Sequence, residues 1–353
     1  MVTFINVWHG LGMLSKLGIL VGVDIVAFTR KHYLGMGLIL SAILTVVFFL
    51  YLPIEVGGYR AGNVPLLLVN AGFLAVTAST IVVVVLIVLT RSDQVRAQLV
   101  NLARFRHLLR LMIKRDFVTR YRRSVLGVVW SLLNPLLNML VLTMVFSLLF
   151  GGMGIDNFPV YVLSGSIIYN FFSESTTLAM GSITGSAGTI KKVYVPKYIF
   201  PMSRVLSSLV NLSFSFVAFL LVFVFTGESF TWIMLLIPIP IILLVVFSMG
   251  VGMLLSAMAV FFRDITYIYG VFTQLLFFLT PIMYPVDMLP PRVFHLIHLN
   301  PMFHFVMYFR DLAINNTIPG LWTNIICIGF ALAALCLGIY AKISQQDKYI
   351  LYL

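Results

Sequence analysis

The stretch Arg120–Phe150 reads RYRRSVLGVVWSLLNPLLNMLVLTMVFSLLF, and its two halves decide the fold class. Three arginines, Arg120, Arg122 and Arg123, run straight into an apolar segment long enough for a spanning helix, which needs about 20 residues. Asn134-Pro135 stands near the start of that segment. An interior proline removes one backbone hydrogen bond, so a bend is expected there. A cation cluster beside the start of an apolar span marks a cytoplasmic membrane edge.

Working outward, the rest of the chain repeats this pattern. Of its 353 residues 61% are hydrophobic and 10% charged, against about 25% charged in soluble domains. Mean hydropathy is +1.07. Apolar spans are expected near 35–54, 65–89, 125–150, 159–182, 200–225, 233–260, 270–289 and 323–341. The expected fold class is therefore an all-α polytopic membrane protein of eight spans.

The net charge of +12 raises the question of nucleic acid, and its distribution answers it. With both termini cytoplasmic, 20 of the 23 basic residues fall on the inner side. Only Arg60, Arg292 and Arg310 fall outside. The excess is a topology signal and a surface for anionic lipid, with no nucleic acid required. Cys327 and Cys336 share the last span. Nine residues at about 100° each put them on opposite helix faces, so they do not bridge. No cleavable signal peptide is evident, because Lys16 and Asp24 interrupt the early apolar stretch.

Three units follow. Residues 1–90 comprise an amphipathic stretch and a two-span hairpin. Residues 91–123 read as a basic interfacial helix. Leu99, Leu102, Phe105, Leu109, Met112 and Ile113 share one face, with Arg104, His107, Arg110, Lys114 and Arg115 opposite and Arg106 the exception. Such a helix lies in the interface plane, apolar side toward lipid. Residues 124–353 hold a six-span core. Its second cytoplasmic loop is SAGTIKKVYVPKYIFP from Ser186, and its third is a short turn at Arg263-Asp264. Residues 280–322 carry six prolines, and backbone so interrupted must be buried against protein or lie at the outer interface.

No catalytic motif is present: neither a phosphate loop, H-E-x-x-H nor G-x-S-x-G. The run Gly185 to Lys192 has the wrong spacing for a phosphate loop. His295, His298 and His304 cluster near Asp311 without a paired carboxylate, which favours polar filling over a metal site. Glu174, deep in a span, must face protein or water, either lining a hydrated path or latching neighbouring helices. Trp130, Tyr169, Phe171, Phe172 and Tyr284 offer flat faces for sugar stacking along a path, although belts and ordinary packing use the same residues. Arg263 and Asp264, adjacent in sequence, diverge on a helix and are each expected to find another partner.

Five blocks now support a comparison: RYRRSVLGVVWSLLNPL, FPVYVLSGSIIYNFFSES, IKKVYVPKYIFPMSRVLSSLVN, AVFFRDI, and LLFFLTPIMYPVDMLP with LNPMFHFVMYFRD. In this order they resemble the permease subunit of ABC exporters of polysaccharide, O-antigen or teichoic acid, over about residues 98–353. The resemblance implies a six-span exporter permease core, here preceded by an extra two-span N-terminal hairpin. It implies a dimer of permeases in the bacterial inner membrane, joined to two copies of a separate ATPase that holds ATP and magnesium. The permease itself would bind no cofactor and have no catalytic residue. The cargo implied is an undecaprenyl-diphosphate-linked glycan moved from the inner to the outer leaflet. Arg120, Arg122 and Arg123 match the region where a diphosphate headgroup approaches. Residues 186–199 match the coupling loop, with Lys191, Lys192, Tyr194, Lys197, Arg263 and Asp264 as the expected ATPase contacts. Residues 280–322 match the outer gate. The rivals are an exporter of a drug or other lipid in the same superfamily, and a membrane enzyme built on Glu174, His304 and Asp311.

Overall fold

The computed structural model describes residues 105–122, 125–150, 154–192, 195–288 and 297–345. The N-terminal hairpin, Arg123, Tyr194 and His295 lie outside the described residues. The described elements are helical: α1 (Arg106–Tyr121), α2 (Val129–Phe150), α3 (Phe158–Met180), α4 (Ala187–Ile190), α5 (Ile199–Phe225), α6 (Pro238–Phe261), α7 (Ile265–Leu279), α8 (Pro301–Ala313) and α9 (Leu321–Gln345).

Four segments are long and apolar enough to cross a membrane: Val129–Ser147, Ile199–Phe225, Trp232–Phe261 and Leu321–Lys342. α3 matches them in length with 23 residues but carries Ser164, Ser166, Asn170 and Glu174. It tolerates them because it is the central helix, buried along most of its length and packed against α2, α5, α6 and α8. Polar side chains on such a helix meet protein rather than hydrocarbon.

The expected span over 270–289 is corrected. α7 starts earlier, at Ile265, and stops at Leu279 after 15 residues. At 1.5 Å per residue it reaches about 22 Å, short of the roughly 30 Å hydrocarbon core. Thr280 turns extended, and the chain continues as an irregular segment with a short 3-10 turn at Val286–Met288.

Glycines set the closest helix approach. A Cβ on Gly250 of α6 would stand 2.2 Å from the backbone of Ala334 and Leu335 in α9. One on Gly338 would stand 2.4 Å from the Gly250 carbonyl oxygen. Backbones this close require residues without side chains, the small-residue packing of helices in lipid. Phenylalanines fill the adjoining core, with Phe219 against Phe309 and Phe247 against Phe305, both at 5.4 Å between ring centroids. α2 is the exception: Met139 is its one buried residue among the described side chains, and Leu140, Val141 and Met144 are exposed.

Over its described residues α1 is amphipathic in burial. Met112 is buried, while Arg106, His107, Arg110, Lys114 and Arg115 are exposed. The apolar stripe does not rest on lipid alone. Met112 clusters with Val195, Ile199 and Phe200, and Phe105, Leu108, Leu109, Ile190 and Tyr198 pack around them. The helix thus lies on the segment leading into α5, and only Leu111 and Val118 remain as large exposed apolar groups on it.

Candidate functional site: a charged seam and a buried arginine

α1 is tied to the spans by polar contacts at its C-terminal half. Arg120 Nη1 lies 2.5 Å from Glu174 Oε1 of α3. Asn211 of α5 donates to the same carboxylate oxygen at 2.8 Å. Tyr121 donates to Asn211 Oδ1 at 3.2 Å, and its hydroxyl also meets that of Ser131 at the start of α2. One turn earlier, Asp116 Oδ2 faces Arg204 Nη1 of α5 at 2.9 Å, a charge contact outside hydrogen-bond angles. Phe117 stacks on Phe214 at 6.1 Å. Helices α1, α2, α3 and α5 therefore meet at one seam.

Two of the expected site residues, Arg120 and Glu174, come together there. Arg122 is exposed at the end of α1. Asp116, Arg204 and Asn211 were not singled out in the sequence. Asp116 is the one acid of α1, a helix otherwise rich in cations, and that oddity was the available signal.

The basic loop gathers at the same end of the bundle. Ile183, Ala257 and Val260 cluster with Ile190, Phe261 and Ala341, drawing α4 to the ends of α6 and α9. Lys191 and Lys192 are exposed, as are Arg263 and Asp264 between α6 and α7. Neither Arg263 nor Asp264 is in an ion pair with another of the described residues. Lys197 is half-buried. Lys342 of α9 is buried, its amine 5.6 Å from the centre of the Tyr198 ring.

The aromatics divide. Trp130 is exposed on α2. Tyr169, Phe171 and Phe172 turn into the core instead of presenting open faces. Tyr169 bonds the Thr273 carbonyl and packs on Phe277 at 5.2 Å, and Phe172 stacks on Phe247 at 5.4 Å. Tyr284 is half-buried, donating to the Phe278 carbonyl at 2.8 Å.

The opposite end holds what sequence reading missed. Arg310 of α8, which the charge partition places on the outer side, is 2% exposed. It donates to the carbonyls of Pro281 at 2.7 Å, Tyr161 at 3.0 Å and Ile282 at 3.1 Å, and to Ser164 Oγ at 3.3 Å. Its guanidinium lies 3.5 Å from the centre of the Tyr161 ring. The carbonyls of Pro281 and Ile282 belong to the break after α7, where no helix supplies donors. A planar fork of donors suits several carbonyls at once. Gly165 makes room, since a Cβ there would stand 2.8 Å from Nη2. Tyr161 donates to the Tyr284 carbonyl at 3.0 Å, and Asn300 caps α8 while bonding Thr280 at 2.8 Å. Side chains thus satisfy the carbonyls of Pro281, Ile282 and Tyr284 in this irregular stretch.

The histidines form no metal cluster among the described residues. His304 is buried and its Nε2 bonds the His298 carbonyl at 2.8 Å. Burial pulls its imidazole down to about 4, so Nε2 donates from the neutral ring at physiological pH.

The family model for ABC-2 type transporters matches residues 107–314, from α1 through α8. The chain belongs to the ABC-2 type transporter family. It is 31% identical over 256 residues to the O-antigen export system permease protein RfbA of Klebsiella pneumoniae, covering 71% of this chain and 97% of the relative. It is 29% identical over 221 residues to the O-antigen export system permease protein RfbA of Myxococcus xanthus, covering 62% and 85%. It is 24% identical over 238 residues to the polysialic acid transport protein KpsM of Escherichia coli, covering 66% and 91%. In this ABC-2 transporter chain both the charged seam and Arg310 lie within the matched region.

Proposed function

We propose that this ABC-2 chain is the permease subunit of an ATP-driven exporter that moves undecaprenyl-diphosphate-linked polysaccharide from the inner to the outer leaflet. The observation that carries the reading is the likeness to O-antigen export permeases over nearly their whole length. The α1 end is the cytoplasmic end, in keeping with the positive-inside rule. There Lys191, Lys192, Tyr194, Lys197, Arg263 and Asp264 meet two copies of a separate ATPase, which holds ATP and magnesium. The exposed cations of α1 rest on anionic lipid. Arg120, Arg122 and Arg123 attract the diphosphate by charge-assisted hydrogen bonds.

Coupling runs through packing. α1 lies on the segment before α5 and grips Glu174, so a push on the basic loop reaches the spans through contiguous contacts. The exposed face of α2, with Trp130 and the bonded amides of Asn134 and Asn138, meets a second copy or the glycan path. Polar groups on a lipid-facing helix are costly, which favours either over lipid. Glu174, Trp130 and Tyr284 belong to the path, with Tyr169, Phe171 and Phe172 supporting its wall. The Arg310 segment forms the outer gate. The enzyme alternative loses ground because its three residues are engaged apart: Glu174 with Arg120, His304 with the His298 carbonyl, and Asp311 with Asn315.

The test is to purify the chain with its genomic neighbour ATPase and add lipid-linked glycan extracted from the source bacterium. A stable complex whose ATP hydrolysis rises with glycan supports the proposal. Absence of any complex with an ATPase overturns it.

A further inference from the structure

Behind the charged seam, α2, α3 and α5 turn polar side chains toward one another in the middle of the bundle. They line a partly open notch of about 40 Å³, with Asn138, Ser166, Asn170, Glu174, Ser208 and Asn211 among its walls. Most helix contacts in lipid are made by apolar or small groups, so this concentration needs an occupant. Ser166 is 8% exposed and Ser208 is 0% exposed, and neither hydroxyl has a hydrogen-bond partner. Buried polar atoms are normally satisfied, and two orphans on the wall of one cavity point to a ligand that satisfies them. Asn170 is exposed at the same place and has no side-chain partner among the described residues.

Charge narrows the chemistry. Glu174 is already paired with Arg120, so the site is neutral overall. An anion would face the carboxylate, and a cation would compete with the guanidinium. Amides and hydroxyls that both donate and accept suit hydroxyl groups. The volume admits about two or three water-sized groups, which is the edge of a sugar rather than a ring. Ile167, Phe171 and Leu212 supply the apolar remainder of the wall.

We infer that this notch between α2, α3 and α5 is a hydroxyl-binding subsite that grips the edge of a passing sugar, with Ser166, Ser208 and Asn170 as its free hydrogen-bonding groups. The identity of the ligand rests on the glycan-carrier reading, whereas the notch itself does not.

The experiment uses the full chain with its ATPase in proteoliposomes, and lipid-linked glycan extracted from the source bacterium as the added ligand. Stimulation of wild-type hydrolysis by that extract tests the carrier reading alone. The double variant Ser166→Ala/Ser208→Ala should need about tenfold more glycan for half-maximal stimulation, the effect of losing two hydrogen bonds. Its melting temperature should hold or rise, because removing orphan hydroxyls does not weaken the fold. Equal glycan response in variant and wild type overturns the subsite while leaving the carrier reading intact. Independently, Ser208→Cys, or Ser166→Cys should the first not fold, is placed in a Cys327→Ala/Cys336→Ala background. It should react with a small charged methanethiosulfonate, at least about fivefold more slowly with glycan present. No labelling means a dry notch and overturns the site. Labelling that glycan does not slow means water only and overturns the ligand class.

Discussion

At the α1 end, Arg120 and Glu174 meet with about a third of each side chain exposed, 33% and 36%. At the opposite end Arg310, 2% exposed, shares its donors among three backbone carbonyls and a hydroxyl. A pair this exposed contributes only about 0–1 kcal/mol, so it is broken and remade cheaply. Removing a buried cation of this kind orphans its carbonyl partners, at about 1–3 kcal/mol for each. The contrast teaches which end can move within a turnover. The α1 seam is joined by side chains alone and can yield to a push, whereas the Arg310 segment is fixed through its backbone and changes only as a unit.

The sharpest way to break this contrast is Arg310→Met. It should lower stability by about 3–5 kcal/mol, because the carbonyls of Pro281 and Ile282 lose their donor. Thermal unfolding in detergent measures it, and a loss under about 1 kcal/mol would remove the distinction between the ends. Arg310→Lys should recover only part, since an ammonium offers three donors at one point where the guanidinium spreads five in a plane. Next in size, Gly165→Ala pushes on the same guanidinium without altering charge, and overpacking of this kind costs about 1–3 kcal/mol.

Acidification tests the same end. His304 stays neutral in the fold down to about 4. In the unfolded chain the ring protonates near 6.5, so the unfolded state takes up the proton first. This contribution is fully present above about pH 6.5 and falls as pH drops toward 4. Between pH 7 and 5 the loss should reach about 2 kcal/mol, and His304→Asn should flatten that part of the pH profile. At the α1 end Glu174→Gln should change stability by less than about 1 kcal/mol. Raising salt from about 0.1 to 1 M should mimic it, because the Debye length shrinks to about 3 Å. A large loss from Glu174→Gln would make the seam a fixed joint and contradict the comparison.

Much of the α1 end was legible in sequence, and the Arg310 end was not. The stripe through Phe105, Leu109 and Met112 follows helical period, so burial of that face could be read directly. Its partner surface, Val195 to Phe200, could not, because periodicity says which face is buried and nothing of what covers it. Glu174 stood out as a charge in a span, but Arg120 lies 54 positions away and Asn211 reads as an ordinary polar residue of a long helix. Arg310 was placed on the outer side by the charge partition alone, and its burial could not be read from that. Its partners are backbone carbonyls freed where α7 stops, and a backbone acceptor leaves no mark in the sequence. The length of α7 was misjudged for another reason: Thr280 and Pro281 end the helix inside a run that stays largely apolar on either side of them.

The most direct test of the central claim is leaflet transfer of lipid-linked glycan in proteoliposomes holding this chain and its ATPase. The expected result is transfer that requires ATP and stops when ATP is replaced by a non-hydrolysable analogue. Transfer that proceeds equally without nucleotide, or hydrolysis without any movement of glycan between leaflets, would contradict it.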